Sequence, residues 1–321
     1  MREPGFIQLH QPDGQALAAE AAQGLQAAAA WASPKFFYDA LGSSLFAAIT
    51  ELDEYYPTRT EAAILATHGA AVAQAVLQAV GPGATLVDLG AGNCAKAARL
   101  FEPLQLGRYV AVDISVDFLR EALAALQRRF AALDLVGVGL DFSARLALPA
   151  GLVDKPALVF YPGSSIGNFA PDDALRLLRE ARELSAGGAL LIGVDLAKPD
   201  AVLQPAYDDA LGVTAAFNLN LLRHLNRLLG SDFDPRQWQH LALVNEAERR
   251  IEMHLQARQA LTVRWPGGLR AFAAGERMHT ENSYKWRLAD FEALLRDAGF
   301  ARTQSWTDAQ GWFGVVLARG A

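Results

Sequence analysis

The stretch Leu86-Val-Asp-Leu-Gly-Ala-Gly-Asn93 is the part of the sequence that determines the fold. It starts as an apolar run, carries an acid at Asp88 and continues as Gly-x-Gly at Gly90 and Gly92. A run of this kind predicts a buried strand, and the two glycines predict a turn whose bare backbone contacts a ligand with ribose or phosphate groups. The flanking segments extend this prediction in both directions.

Short runs rich in Val and Leu alternate with helical patterns on either side of the turn, which predicts right-handed crossovers and a doubly wound, Rossmann-like α/β sheet. A helix over 290–298 and two strands near 301–306 and 312–318 then predict an antiparallel pair at one edge. The predicted parallel strands are 85–89, 109–112, 136–140, 157–161 and 189–194, with helices over 59–80, 116–133 and 171–184.

The alternation stops after Val194 for about ninety residues, which is far longer than an ordinary connection and predicts an inserted domain. Its first part, 205–229, has a helical pattern, and 250–258 alternates with period two as a strand does. We therefore expect a cofactor-binding sheet domain over 61–196 and 286–321, and a smaller α+β substrate-binding domain over 1–60 and 197–285. Residues 1–33 are interpreted as an adaptable lead-in.

The composition points to a globular protein that acts on small solutes. The 321 residues carry a formal net charge of -6, which disfavours nucleic acid and anionic membranes as partners. No stretch approaches the roughly 18 apolar residues of a membrane span, and no obligate protein partner is evident. The single Cys94 and the absence of a signal-peptide core favour the cytoplasm. The six histidines have no ligand spacing, so no metal site is predicted.

Three strand ends indicate which ligand the glycine turn holds. The turn can be aligned with the dinucleotide pattern, and Asp113 lies at the distance expected for a ribose contact. S-adenosylmethionine (SAM) fits the same turn, with Asp88 before the glycines and Asp113 at the end of the next strand. Asp141 and Phe142 end the third run, where an acid and an aromatic ring are suited to an adenine. We therefore predict SAM as the cofactor.

The fourth strand runs into Phe160-Tyr-Pro-Gly-Ser-Ser-Ile-Gly-Asn168. Two glycines and an amide at the carboxyl edge of a sheet are typical of a substrate subsite beside the cofactor. We expect Gly163 to contact the cofactor and Asn168 to contact the substrate.

Motifs along nearly the whole chain from residue 33 onward extend this interpretation. Together they resemble the SAM-dependent histidine Nα-methyltransferases of ergothioneine biosynthesis, and those of the inserted domain are specific to that family. The motifs are Phe37-Tyr-Asp, Glu54-Tyr-Tyr-Pro-Thr-Arg, Leu89-Gly-Ala-Gly, Gly163-Ser-Ser-Ile-Gly-Asn, Ala206-Tyr-Asp-Asp-Ala-Leu-Gly-Val-Thr-Ala-Ala-Phe-Asn, Glu248-Arg-Arg-Ile-Glu-Met and His279-Thr-Glu-Asn-Ser.

The resemblance implies a role for each matching residue, and Asp88, Gly92 and Gly163 join the cofactor set from the strand-end argument. Tyr56, Asn168 and Tyr38 are the expected catalytic residues. They orient the amine, carry its proton away, or line the pocket that holds the methylated product. The cofactor set is Asp88, Gly90, Gly92, Lys96, Asp113, Asp141, Phe142 and Gly163. The histidine set is Tyr56, Asn168, Tyr207, Met253, Glu281 and Ser283.

The expected reaction is methylation of the α-amino group of L-histidine, continuing to the trimethylated betaine hercynine. Methyl transfer from a sulfonium is an in-line displacement, so it needs alignment rather than a nucleophilic side chain. Three alternatives stay open at this point. They are a methyltransferase acting on another amino acid or an imidazole-containing amine, a non-catalytic SAM-binding protein, and a nicotinamide dehydrogenase.

Overall fold

The structure, a computed structural model, describes residues 2–9, 14–153, 156–185 and 187–320. Within these residues the chain folds into two compact units. The large-sheet unit comprises the described residues of Met1–His10, Pro57–Ala197 and Lys285–Ala321. The small-sheet unit comprises those of Gln11–Tyr56 and Lys198–Tyr284.

The strands of the described chain occur in both units. In chain order they are β1 (Gly5–Gln8), β2 (Thr85–Leu89), β3 (Arg108–Asp113), β4 (Asp134–Gly139), β5 (Ala157–Tyr161), β6 (Ala189–Asp195), β7 (Trp238–Asn245), β8 (Arg250–Ala257), β9 (Leu261–Trp265), β10 (Gly268–Phe272), β11 (Arg277–Tyr284), β12 (Arg302–Thr307) and β13 (Phe313–Arg319).

The helices fill the intervals between the strands. They are α1 (Gly14–Gln26), α2 (Ala40–Ile49), α3 (Tyr56–Val80), α4 (Ala95–Ala98), α5 (Phe101–Leu104), α6 (Val116–Arg129), α7 (Pro171–Ser185), α8 (Asp200–Tyr207), α9 (Val213–Leu229) and α10 (Leu288–Asp297). Short 3-10 helices cover Pro34–Phe37, Ser165–Asn168 and Pro235–Gln237.

The large sheet of the described chain has eight strands in the order β1-β4-β3-β2-β5-β6-β13-β12. Neighbouring strands from β1 to β6 pair in parallel, whereas β13 pairs antiparallel with both β6 and β12. The predicted doubly wound α/β sheet with an antiparallel edge pair is therefore confirmed. Its strand order reverses between β2 and β5, and such a reversal leaves a crevice at the carboxyl ends of the two strands.

Every residue of β2, β5 and β6 is buried, because helices cover both faces of the sheet. On one face Leu86 and Tyr109 pack with α3 and α6. On the other face Val87 and Val110 pack with α7 and α10. Since successive strand residues point to opposite faces, one apolar run supplies both cores.

The small-sheet unit contains a three-stranded antiparallel sheet in the order β11-β8-β7 and a β9-β10 hairpin, both within the described residues. Strand β8 alternates between half-buried and buried residues. Its buried residues Ile251, Met253, Leu255 and Ala257 occupy every second position, as the period-two pattern of 250–258 predicts. Met253 and Leu255 lie in an apolar cluster to which α1 and α9 contribute.

The amino-terminal segment differs from the prediction of an adaptable lead-in within the substrate-binding domain. Strand β1 pairs in parallel with β4, from Gly5 opposite Val136 to Gln8 opposite Gly139. The β4 glycine Gly137 makes this fit possible, because a Cβ there would lie 2.6 Å from the Phe6 ring. Helix α1 contributes Ala21 and Leu25 to the core of the small-sheet unit. A four-residue strand and an alanine-rich helix are too weakly patterned to detect from periodicity.

The helix predicted over 205–229 is instead two helices, α8 and α9. Gly212 separates them with a left-handed backbone, φ +74°. The Asp209 carboxylate accepts hydrogen bonds from the backbone N–H groups of Val213 and Thr214, at 2.9 and 2.7 Å. These bonds satisfy amide groups that otherwise have no partner in the first turn of a helix, so they fix the start of α9.

One helix meets the length and composition criteria for a membrane span, contrary to the prediction that no segment does. Helix α3 has 25 residues and an 18-residue window of mean hydropathy 1.4. Its residues Ile64, Val72 and Val76 are buried in the core of the large-sheet unit. Because a core helix of a globular protein meets the same criteria, this helix is weak evidence for a membrane segment.

Candidate active site

Two turns lie at the carboxyl ends of β2 and β5, where the strand order of the large sheet reverses. One is the glycine turn of residues 90–93, which follows β2 and precedes α4. The other follows β5 and contains the 3-10 helix Ser165–Asn168. In open α/β sheets this position is where ligands bind, so these two turns define the candidate cofactor edge.

The glycine turn needs glycine at both positions. Gly90 and Gly92 have φ values of +68° and +52°, in the left-handed region that side chains disfavour. The backbone N–H groups of Gly90 and Ala91 both donate to the Val112 carbonyl, at 2.9 and 3.1 Å. The turn is therefore anchored to the last residues of β3.

Asp113 fixes the same turn through its side chain. Its Oδ2 accepts from the Gly92 N–H at 2.8 Å, and its Oδ1 accepts from the Ser115 N–H at 2.8 Å. Burial raises the pKa of this carboxyl, although its backbone hydrogen bonds oppose the shift. Each carboxylate oxygen has a second lone pair, so Asp113 can also accept from a ligand hydroxyl.

Asp88 lies beneath the turn rather than at its surface. Its side chain is buried, and its Oδ2 accepts from the Tyr109 hydroxyl at 2.7 Å. Burial raises the pKa of Asp88 to about 7, although the Tyr109 bond opposes the shift. The Asp88 Oδ1 atom is buried and has no hydrogen-bond partner among the described residues. Such an orphaned oxygen is costly unless a proton or a ligand group satisfies it.

Phe142, which follows β4 in the chain, lies against the glycine turn. A Cβ placed on Gly90 would be 4.0 Å from the Phe142 Cζ atom. The Phe142 ring also packs edge-on against Tyr161, with 5.8 Å between ring centroids. The neighbouring Asp141 accepts from the backbone N–H and the hydroxyl of Ser143, at 3.0 and 2.5 Å. These contacts fix an aromatic face and an acid beside the turn.

Lys96 lies in α4, directly after the glycine turn, and forms an ion pair with Glu61 of α3. The Lys96 Nζ to Glu61 Oε2 distance is 2.6 Å. The other Glu61 oxygen, Oε1, accepts from the Gly163 backbone N–H at 2.9 Å. One buried carboxylate therefore connects the helix that follows the glycine turn to the turn that follows β5.

Asn168 ends the 3-10 helix after β5 and is half-buried. The residue before that helix, Ser164, is left-handed with φ +62°. Its hydroxyl accepts from the Asp195 backbone N–H at 2.7 Å. The turn that carries Asn168 is thus tied to the end of β6.

The residues at this edge fit SAM, which combines an adenosine, a sulfonium and an amino-acid end. The left-handed glycines leave the backbone bare where a ligand approaches, and Phe142 and Asp113 suit an adenine and a ribose. The partly exposed Lys96 ammonium suits a carboxylate. In the described part of the chain no group of three or more His, Cys, Asp or Glu side chains is arranged to hold a metal ion.

The small-sheet unit brings together most of the residues predicted to bind histidine. Glu281 of β11 is directly opposite Met253 of β8, at a register shift that follows His279. Cross-strand partners point to the same face of a sheet. Glu281 is 8% exposed, Ser283 6% and Met253 3%, so all three face the interior rather than solvent.

Tyr207, the last residue of α8, joins this group through its hydroxyl. The Tyr207 Oη to Ser283 Oγ distance is 2.7 Å. The Tyr207 backbone carbonyl accepts from Nε2 of His240 at 2.7 Å, and Nδ1 of His240 accepts from the Asn218 amide at 2.8 Å. These two bonds define a neutral His240, in agreement with burial, which lowers its pKa.

The two other tyrosines predicted to belong to the site have different surroundings. Tyr56, the first residue of α3, is 1% exposed, and its hydroxyl accepts from Lys198 Nζ at 2.9 Å. The same ammonium lies 4.4 Å from the centroid of the Tyr56 ring. Tyr38 is half-buried and packs edge-on against Phe46 and Phe217, at 5.9 Å from each ring centroid.

An open parallel sheet with a glycine turn and acids at its strand-order reversal defines the class of nucleotide-cofactor-binding α/β proteins. The chain belongs to the family of histidine-specific, SAM-dependent methyltransferases, whose family model matches residues 17–320. The cofactor is accordingly SAM, as predicted.

Curated relatives agree with the family assignment. The chain is 43% identical over 311 residues to the histidine N-alpha-methyltransferase of Mycolicibacterium smegmatis, covering 95% of each chain. It is 41% identical over 311 residues to the protein of the same name from Mycobacterium tuberculosis, covering 94% of each. It is also 31% identical to ergothioneine biosynthesis protein 1 of Neurospora crassa, covering 84% of this chain and 31% of that protein.

Sequence reasoning missed Glu61, Lys198 and His240, each of which contacts a predicted site residue or its turn. Glu61 was visible as the acid that follows the Glu54-Tyr-Tyr-Pro-Thr-Arg motif. Lys198 follows the end of β6 by three residues, a position typical of site residues in parallel sheets. His240 carries no sequence signal, because an isolated histidine in a strand is not distinctive.

Proposed function

We propose that this protein transfers methyl groups from SAM to the α-amino group of L-histidine and continues to the trimethylated betaine hercynine. The observation that carries the proposal is the family match over residues 17–320. The identity to histidine N-alpha-methyltransferases along almost the entire chain supports the same substrate. We assign the reaction to the cytoplasm, as the lone cysteine favours.

The cofactor residues have separate tasks in this proposal. Asp113 accepts from the ribose hydroxyls, Asp141 bonds to the adenine and Phe142 covers the ring. Gly90, Gly92 and Gly163 offer bare backbone, and Lys96 binds the carboxylate of the amino-acid end. Asp88 acts from beneath the turn, where its buried carboxylate accepts from the Tyr109 hydroxyl. Bound SAM supplies an electrophilic methyl group on a sulfonium.

The substrate residues of the small-sheet unit recognise the imidazole and the carboxylate of histidine. Glu281 accepts the imidazole N–H, and Ser283 bonds to the same ring. Tyr207, held at its carbonyl by His240 and at its hydroxyl by Ser283, binds the carboxylate. An apolar amino acid offers no N–H donor to the Glu281 carboxylate, so Glu281 favours histidine over such substrates.

The amine must lose its proton before it attacks the methyl group. We assign its orientation to Tyr56 and Asn168, and Asn168 also binds the substrate carboxylate. A tyrosine acting with water removes the proton, and proximity and alignment supply most of the rate enhancement. Tyr38 and Met253 line the pocket, where an aromatic face suits the quaternary ammonium of the product.

Incubation of the purified protein with SAM and L-histidine tests the proposal, with products resolved by mass spectrometry. We expect mono-, di- and trimethylated histidine in succession. Parallel reactions with tryptophan and histamine are the control for substrate choice. Turnover of either compound with no methylated histidine would refute the substrate assignment, and tight SAM binding with no turnover of any amine would indicate a non-catalytic protein.

A further inference from the structure

Glu61 is a buried acid to which the proposed reaction gives no role. It lies in the second turn of α3 and is 2% exposed. Its two carboxylate oxygens accept from two separate segments of the cofactor edge, Oε2 from Lys96 of α4 and Oε1 from Gly163 in the turn after β5, at 2.6 and 2.9 Å. A buried carboxylate with a cation and a backbone N–H as partners is held in one position.

Strand β6 leaves room for this carboxylate. A Cβ on Gly193 would lie 2.3 Å from Glu61 Oε1 and 3.1 Å from the Gly163 backbone nitrogen. Any larger residue at position 193 would therefore displace Glu61 from Gly163. Gly193 is not among the described glycines with a positive φ. Glycine is therefore needed at this position because Glu61 approaches the backbone closely, and not because the backbone is left-handed.

The other end of the ion pair remains accessible. The Lys96 side chain is 36% exposed, whereas the Glu61 side chain is 3% exposed. An ammonium has three N–H donors, and the contact with Glu61 uses one of them. Glu61 thus holds the Lys96 ammonium at one place, and the remaining donors are left for an acceptor that approaches from the exposed side.

We propose that Glu61 is a positioning residue for the amino-acid end of SAM. It fixes Lys96 Nζ beside the Gly163 turn, so that the ammonium is already oriented when the carboxylate of the ligand arrives. This inference rests on the proposed role of Lys96 as the carboxylate contact. It assigns no direct ligand contact to Glu61, because that carboxylate is buried and both of its oxygens are engaged.

Orientation outweighs direct repulsion between Glu61 and the ligand carboxylate. The amino-acid end of SAM is a zwitterion, so attraction of its ammonium to Glu61 offsets much of that repulsion. A free lysine side chain loses rotamer freedom when it binds a ligand, and an anchored one has already lost it. Removal of Glu61 should therefore weaken binding of the amino-acid end.

Two ligands separate this role from a general structural one. S-adenosylhomocysteine has the amino-acid end, and 5′-methylthioadenosine has the same adenosine and a neutral sulfur without it. For Glu61→Gln we expect the Kd of S-adenosylhomocysteine to rise about tenfold, the usual effect of losing one charge-assisted hydrogen bond. The Kd of 5′-methylthioadenosine should change less than about twofold. Calorimetry on the full chain without histidine measures both.

Two further variants test the route through Lys96. In a double-mutant cycle, Glu61→Gln should add little to the loss already caused by Lys96→Met, because both remove the same contact. Gly193→Ala displaces the same carboxylate without changing its charge, and should give the same difference between the two ligands. If Glu61→Gln folds poorly, the Kd values of the two ligands are measured on Gly193→Ala instead.

Asp134→Asn is the matched control. Asp134 pairs with Arg108 at 2.8 Å in the same sheet, but both residues begin their strands and lie at the opposite edge. The Asp134→Asn variant should bind S-adenosylhomocysteine and 5′-methylthioadenosine with the affinities of the wild type. Equal losses for both ligands in the Glu61 and Gly193 variants, unchanged or tighter S-adenosylhomocysteine binding, or additive effects in the cycle would overturn the proposal. Since no measurement uses histidine, failure of the histidine assay leaves this test intact.

Discussion

The two units of this protein form their proposed sites in different ways. In the large-sheet unit the proposed cofactor residues lie at or shortly after the carboxyl ends of strands, and several contacts are made by backbone groups, such as Gly92 N–H to Asp113. In the small-sheet unit the site consists of side chains from separate elements, such as Tyr207 of α8 and Ser283 of β11. The first site follows from strand order, whereas the second depends on packing.

This difference separates two kinds of recognition. A backbone turn at a strand-order reversal fits a cofactor whose shape is constant, and it tolerates changes in the surrounding side chains. A buried acid such as Glu281 selects one functional group and excludes substrates that lack it. We therefore expect substitutions in the two units to separate cofactor binding from substrate choice.

The largest expected effect is that of Glu281→Ala in the small-sheet unit. Loss of the acceptor for the imidazole should lower kcat/KM for histidine by about 100-fold or more, because a polar substrate group is then left unpaired. The Kd of S-adenosylhomocysteine should stay within about twofold. Steady-state kinetics and calorimetry measure the two quantities.

The exposed Glu246, in the turn between β7 and β8, provides the control for that experiment. Glu246→Ala should match the wild type in both measurements. A parallel loss of histidine turnover and cofactor affinity in Glu281→Ala would mean that Glu281 supports the fold, and the contrast between the units would fail.

Lys96→Met should produce the opposite pattern from the large-sheet unit. The Kd of S-adenosylhomocysteine should rise about 30-fold, as expected for loss of a charge-assisted contact to a carboxylate. At saturating SAM the KM for histidine should change little. Arg99→Met removes an exposed cation at the end of the same short helix and should leave affinity unchanged. Equal affinities for Lys96→Met and the wild type would exclude Lys96 as a cofactor contact.

Tyr207→Phe should have a smaller effect that is confined to the substrate. Loss of the hydroxyl removes the bond with Ser283 and should raise the KM for histidine about tenfold, the usual effect of one hydrogen bond to a charged group. Tyr284→Phe is the matched control, since its hydroxyl bonds to Arg250 instead. If both variants raise KM equally, the hydroxyl of Tyr207 has no special role in substrate binding.

The two units should also differ in how their stability responds to pH. Burial raises the pKa of Asp88 from 3.8 to about 7, so between these values the folded state binds more protons than the unfolded state. This acid therefore makes the large-sheet unit less stable as pH rises toward 7, by at most about 1.4 kcal/mol per pH unit. Asp88→Asn should remove this dependence.

Half-buried histidines give the small-sheet unit the opposite dependence. Burial lowers the pKa values of His240, His254 and His279 from 6.5, so below that value the unfolded state binds more protons. Their contribution to stability is present above pH 6.5 and is lost as pH falls. Hydrogen exchange resolved by strand, at pH 5.5 and 8, measures both units. The same direction of change in β2 and β8 would contradict the comparison.

The large sheet was predictable from sequence because its signals are local. Each buried strand is a short apolar run between turn residues, and β2 is followed within three residues by both glycines. Strand β1 and helix α1 were missed, since a four-residue strand at a sheet edge and an alanine-rich helix have little periodicity. The break between α8 and α9 depends on the Asp209 cap, whose effect on the backbone is not apparent in a helical pattern.

By itself, the sequence determined the sheet class, the glycine turn and, through residues at three strand ends and the family motifs, SAM as the cofactor. These features depend on residues adjacent in the chain, for which order and spacing are sufficient. Only the tertiary structure revealed that Glu61 links Lys96 to Gly163, that Lys198 bonds to Tyr56 and that His240 holds Tyr207. Each contact joins residues more than thirty positions apart, so packing decides it and local pattern does not.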